Sequence, residues 1–517
     1  MTISQAIQNL GETGPRSNHL FETLVTNVLK THVEQQKKPF QTEFQHPLAA
    51  DAFTPEGFDQ FAGPTLIKAH FNLTKLPLSL TTNRILKMVQ VMNKEQKLDQ
   101  VLMVSSKKIP DPFKQKFHDS IDKQQLPCKV LLWGPDDLQK IANKHKAEVK
   151  VITEKLFPLR LEAAKKPPEK DWKTDRAQRI EQLKSDFAQG NFTLVLGQQV
   201  AASAAVPDRE ALLNTLHVHY LQQQQGKEKV ITADNRALLI GKLGAVNEPS
   251  TRMVSNYLRQ GMRQNHQEQD QKVYFETLTK AIYGEPETAT KAPEKDGEKP
   301  TKAVKKSQLK PSPLIENIAT LCLSKRTGTP VDAVISYNYD DLLEKQLSQH
   351  HIAHASLYHG QQAYDPDELP VYHINGFLPE QRDGYEGLDQ SALLFCSESQ
   401  LQRYSDPYHW SNLVQLNNLR DKHCLIIGQD LSDANLRKLL EVSARNTENP
   451  QHYTFIPRLT ADAFGKARGK AKEGDTETQF LLEWHHTLTE ACMSELGVCV
   501  IWVEDEKEVA GVLGQIQ

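Results

Sequence analysis

At 517 residues the chain exceeds one hydrophobic core, and its length predicts roughly two to four domains. Charged residues make up 25% and hydrophobic ones 38%, as in a soluble globular protein, and a net charge of −3 excludes a global basic field that would draw the chain onto DNA. No apolar run is long enough for a bilayer and MTISQAIQNLGETG lacks a signal-peptide pattern, while the scattered Cys128, Cys322, Cys396, Cys424, Cys492 and Cys499 form no CxxC pair, so a reducing cytoplasm without membrane or structural zinc is expected.

In chain order, SNHLFETLVTNVLKTHV (17–33) reads as an amphipathic helix capped at Ser17 or Asn18, with Leu20, Phe21, Leu24, Val25 and Val28 on its apolar face. DAFTPEGFDQFAGPTLIKAHFN (51–72) follows a loop and reads as a hairpin-like pair. DQVLMVSSKK (99–108) and CKVLLWGPDDLQKIANK (128–144) each supply an apolar strand, the second running into a helix capped by Asp136. This order resembles the restriction-endonuclease-like α/β fold, and the phrasing Gly-x-Asp, Gly-Pro-Thr and an apolar strand resembles the Mrr-type nucleases. The resemblance assigns Asp59 to the first metal-binding acid and puts Lys68 and His70 where a second acid and a catalytic lysine belong. Lysine in place of the acid sets positive charge where a cation would sit, so the nuclease motif is degenerate and no metal is expected. A DNA- or partner-binding surface and a purely structural role both remain open for residues 1–162.

Residues 163–180, AAKKPPEKDWKTDRAQRI, are rich in Lys, Pro and Asp and read as a linker to a second domain over 181–517. NFTLVLGQQVAASAAVPDREALLNTL (191–216) reads as a strand over Phe192 to Leu196, a small-residue turn opened by Gly197, and a helix begun by Pro207 and Asp208. Residues 284–313 are too polar and lysine-rich to bury a core and read as a disordered insertion. In ISYNYDDLLE (335–344) a strand carrying Val334, Ile335, Tyr337 and Tyr339 breaks at Asn338, Asp340 and Asp341 and feeds a helix. The cluster His350, His351, His354 and His359 reads as a polar loop. PVYHINGFLP (370–379), ALLFCSESQLQRY (392–404), KHCLIIGQDLSDANLRKLL (422–440), HYTFIPR and LGVCVIWVE complete the strand series, with Asp433 and Asn435 positioned to cap a helix.

NYDDLLE and LSDANLR, together with the Gly197 turn and the YHING segment, resemble in their order the sirtuin-like, NAD-cleaving domains of bacterial antiviral defence proteins, over most of 181–517. The resemblance implies a Rossmann-type parallel sheet. It makes Asn338 the holder of ribose and Asp340 its neighbour in the site, and it assigns cofactor contacts to Gly197, Gln198, Gln199 and Val200 in the first turn and to Gly428, Asp430, Ser432 and Asp433 in the second. This chain departs from the family pattern. Gln198 and Gln199 replace small residues, Asp430 replaces serine, and Asn375 occupies the position of the His-before-Gly expected to act as base. Asparagine cannot take a proton at neutral pH. His373 lies two residues earlier and is the candidate substitute base; read blandly, it is a core histidine, and Asn338 a helix cap.

Two folds altered at their own catalytic positions lead to one expectation: a pseudoenzyme subunit of a bacterial antiphage assembly. Its expected partner is an active paralogue or an ATP-driven translocase, in a homo- or hetero-oligomer, with NAD or another nucleotide as a ligand left open. The alternatives are an active NAD hydrolase using Asn338, Asp340 and His373, and a DNA-binding sensor built on the first domain.

Overall fold

The computed structural model describes residues 3–10, 14–42, 50–75, 78–95, 98–124, 126–156, 158–159, 171–225, 230–232, 235–246, 269–284, 309–324, 330–388, 391, 393, 403–444, 450–464 and 476–516. Most of the insertion at 284–313 and of ALLFCSESQLQRY falls outside the described residues. Contacts group residues 1–176, 440–451 and 458–500 into one unit and 177–439, 452–457 and 501–517 into another. The helix Trp172–Phe187 begins inside the stretch read as linker.

In the first unit, strands β1 (Ala52–Thr54), β4 (Thr65–His70), β5 (Gln100–Ser105) and β6 (Lys129–Trp133) form a sheet in the order β1-β4-β5-β6. β1 runs antiparallel to β4, whereas β4, β5 and β6 are parallel. A separate hairpin joins β2 (Gly57–Phe58) and β3 (Phe61–Ala62). Alternation along β4 and β5 divides the core: Ile67, Ala69, Leu102 and Val104 enter one hydrophobic cluster, Leu66, Val101 and Met103 the other. A sheet buried on both faces needs such unbroken apolar runs. The helix Gly14–Gln35 lays Phe21, Leu24, Val25 and Val28 into the first cluster, with Phe58, Phe61 and Trp133. It starts earlier than its expected cap. Ser17 is instead inside the helix, donating from Oγ to the Leu10 carbonyl at 3.0 Å, and the Asn18 side chain bonds Glu22 at 2.8 Å and the Phe71 amide at 3.1 Å. The expected Asp136 cap is also displaced: Gly134 is the N-cap of Pro135–Lys144, and Asp137 accepts its amide at 3.1 Å.

The second unit is built on a seven-stranded sheet of β7 (Phe192–Leu196), β8 (Val331–Ser336), β9 (His354–Leu357), β10 (Leu369–His373), β11 (His423–Ile427), β12 (His452–Pro457) and β13 (Val498–Val503), ordered β13-β12-β11-β7-β8-β10-β9. Pairings from β12 through β9 are parallel. The chain passes from β7 to β8 on one side and returns to β11 on the other, so the strand order reverses beside β7, where open α/β sheets present a crevice at their carboxyl edge. Asp208 caps Arg209–Gln224 through the Ala211 amide at 2.7 Å, as Pro207 and Asp208 predict. Three expectations change. The strand before NYDD ends at Ser336, earlier than read. The stretch after Gly197 is a short helix, Gln198–Ser203, because alanines favour helix over turn. His354, read as loop, opens edge strand β9, too short for its pattern to stand out.

Candidate functional site

Parallel strands β11, β7, β8 and β10 are neighbours, so Gly428, Gly197, Tyr337-Asn338 and Ile374-Asn375 emerge at one edge of the sheet. The two glycines serve each other. A Cβ on Gly197 would lie 2.2 Å from the Gln429 Cα, and one on Gly428, whose φ is +66°, would lie 2.8 Å from the Gln199 Cβ. Three amides of the first turn are already used: Gly197 donates to the Ile427 carbonyl at 2.9 Å, Gln199 to the Gly428 carbonyl at 3.1 Å and Val200 to the Gly197 carbonyl at 3.1 Å. Gln199 reaches Glu506 through Nε2 at 2.8 Å, and Gln198 is exposed. A pyrophosphate needs free amides and open backbone at such a turn. With these three amides engaged, the Gly197 turn offers a pyrophosphate less than an open turn would.

The second turn is tied internally as well. Asp430 accepts the Ser432 amide at 2.8 Å and the Ser432 hydroxyl at 2.6 Å. Asp433 caps the helix Ala434–Ala444 through the Leu436 amide at 2.8 Å and accepts the Tyr404 hydroxyl at 3.1 Å. Asn435, expected to share that capping, instead donates from Nδ2 to Asn412 at 2.9 Å within the buried interior.

The motif after β8 is buried and ionic. His373, 1% exposed, sits with Nε2 at 2.5 Å from Glu344 Oε1 and Nδ1 at 3.2 Å from the Asn338 carbonyl. Burial works to lower the His373 value, but the Glu344 charge and hydrogen bond overcome it and hold it above the ordinary imidazole range. Burial works to raise Glu344, and the His373 imidazolium overcomes that, leaving its carboxyl below the usual range. Both shifts favour the charged imidazolium–carboxylate pair, and both ring nitrogens are occupied. Asp340 accepts the Leu342 amide at 3.2 Å, and burial, reinforced by Glu344, pushes it up to about 6. Asp341 accepts from the Tyr283 hydroxyl at 2.8 Å and the Glu380 amide at 3.1 Å, and it pairs with Lys345 at 2.8 Å. The bland alternative for Asn338, a helix cap, is not what the fold uses: no hydrogen bond among the described residues uses its carboxamide, and the Leu342 amide goes to Asp340.

Asn375, where the family base would stand, donates from Nδ2 to the Tyr337 carbonyl at 2.8 Å and accepts from Arg403 Nη1 at 2.7 Å. Arg403, 3% exposed, also donates to the Ile374 carbonyl at 3.0 Å. His373 and Asn375 thus take separate partners and do not form one reactive pair.

Asp59, Lys68 and His70 are not gathered into one site. Asp59, in the left-handed region at φ 43°, closes the β2–β3 turn and accepts from His32 at 2.8 Å, Gln36 at 3.0 Å and Lys144 at 3.3 Å. Burial raises its carboxyl, but the His32 and Lys144 bonds win and hold it below the usual range. His32 in turn bonds His145 at 2.7 Å. Lys68 pairs instead with Asp51 at 2.6 Å, and more loosely with Glu22 at 3.9 Å. Burial, aided by Glu22 and opposed by Lys68, pushes Asp51 up to about 6. His70 is buried at the end of β4. Among the described residues no group of three or more His, Cys, Asp or Glu is arranged to hold a metal.

Sequence reasoning missed Glu344, Arg403, Asp51 and Glu22. Glu344 alone had a signal, lying inside NYDDLLE four residues after Asp340. A family model, the SIR2-like domain, matches residues 332–475, a span holding Asn338, Glu344, His373, Asn375 and Gly428 but not the Gly197 turn. No curated protein matches the chain.

Proposed function

We propose that this chain is a SIR2-like subunit of a bacterial antiphage assembly in which the NAD-cleaving site has become a fixed, noncatalytic element that binds a protein partner. One observation carries the reading: His373, two residues before the expected base position, is consumed by Glu344 and the Asn338 carbonyl, while Asn375 stands before Gly376 without a titratable group. SIR2-like domains typically bind NAD, and the closed Gly197 turn argues against holding it in the usual way. The unengaged Asn338 carboxamide favours a second reading, a nucleotide-sensing subunit that grips a ligand hydroxyl without cleaving a bond. In the first domain, the Lys68–Asp51 pair supports a degenerate nuclease fold retained as a scaffold or contact surface.

The test is incubation of the purified chain with NAD⁺, with nicotinamide followed chromatographically beside Asn338→Ala. The expected result is no release above the variant's background. Release that the substitution abolishes would make the chain a hydrolase and overturn the proposal.

A further inference from the structure

Asp340 and Glu344 stand one helical turn apart around the start of the helix Leu342–Gln349. Each leaves one carboxylate oxygen, Asp340 Oδ2 and Glu344 Oε2, buried without a hydrogen-bond partner. The other oxygens are taken, by the Leu342 amide and by His373. The charge does not balance. Two carboxylates face one imidazolium, so with both acids ionised one negative charge is stranded in a site shut off from water. The surroundings offset it only in part. His354 of β9 acts on Glu344 from the edge strand, and the Tyr385 phenol brings no positive charge. Lys345 is spent on Asp341 and Glu380. A single proton on Asp340 removes the stranded charge.

We propose that Asp340 holds a proton in acid, and that loss of this proton toward neutral pH loosens the 337–341 turn, a latch on the segment that carries Asn338. The latch rests on the reading of this edge as a binding element and adds its regulation. Its direction follows from burial, which lifts Asp340 from an ordinary 3.8 to about 6. A raised carboxyl favours the folded, protonated form at low pH, and that contribution drains away as pH rises from about 4 to about 6. At neutral pH the turn is strained by its own charge, and a ligand hydroxyl or cation that meets Asp340 would close it again.

Hydrogen–deuterium exchange of the full chain, corrected for intrinsic rates, tests this on the segment 335–345. Exchange there is expected to quicken by about tenfold between about pH 5 and about pH 8 in the natural protein. Asp340→Asn, which keeps a donor without charge, should hold the segment protected at both values. Glu344→Gln removes the opposing charge by another route and should flatten the profile too, which covers the case in which one variant folds poorly. A flat profile in the natural protein, or variants that follow its pH dependence, would overturn the latch. Nicotinamide release measured on the same samples bears only on the noncatalytic reading, so the two can fail separately.

Discussion

The two units handle buried acid in opposite ways. In the first, Asp51 lies beside Glu22 but meets the Lys68 ammonium at 2.6 Å, and Lys68 keeps 24% of its side chain exposed, so solvent helps carry the charge. In the second, Asp340 and Glu344 share one imidazolium that is itself 1% exposed, and no lysine or arginine reaches them among the described residues. Burial pushes both Asp51 and Asp340 up to about 6, yet only Asp340 keeps an unmet oxygen. A raised carboxyl beside a partly solvated ammonium keeps a matched charge; raised carboxyls in a dry cluster are commitments that the fold must maintain.

The sharpest way to break this contrast is Glu344→Ala. It leaves His373 buried with only the Asp340 carboxylate against its charge, and the expected loss is about 3–5 kcal/mol, read from the denaturant midpoint. A loss below about 1 kcal/mol would mean that His373 shed its proton without strain and that the cluster is no commitment. Lys68→Met should cost less, about 1–2 kcal/mol, because its site is partly solvated. The pH dependence sharpens the comparison. Without Lys68 the Asp51 carboxyl rises further, so the variant's deficit should be present above about pH 6 and shrink as Asp51 gains its proton on acidification. Urea titrations at two pH values would show it, and a deficit unchanged by pH would mean that Lys68 contributes packing rather than charge.

Much of the sheet was legible because its strands are buried on both faces and therefore written as unbroken apolar runs: FTLVL, HCLII and VCVIWV are all strands where the run predicts them. The ends of these strands were less legible. Tyr337 and Tyr339 extend the apolar run, but the backbone leaves the ladder at Ser336, and the two tyrosines pack from the loop. The candidate site was legible as a list of residues and not as an arrangement. Glu344 reads as an ordinary helix carboxylate, and only the fold brings it to His373, 29 positions away. Asp59 was recognised as an acid at a metal-ligand position, yet its partners His32 and Lys144 lie 27 and 85 positions off and turn it to structural use. The glycine of the first turn was singled out for a phosphate, and the fold places a demand of its own on it, because the backbone of the Gln429 turn leaves no room for a Cβ.

The protonation state of His373 tests the central claim most directly. Nitrogen NMR of the chain labelled at histidine should show both His373 ring nitrogens protonated at neutral pH, as the Glu344 ion pair requires. A neutral ring with one free nitrogen at that pH would return His373 to the role of a base and contradict the account.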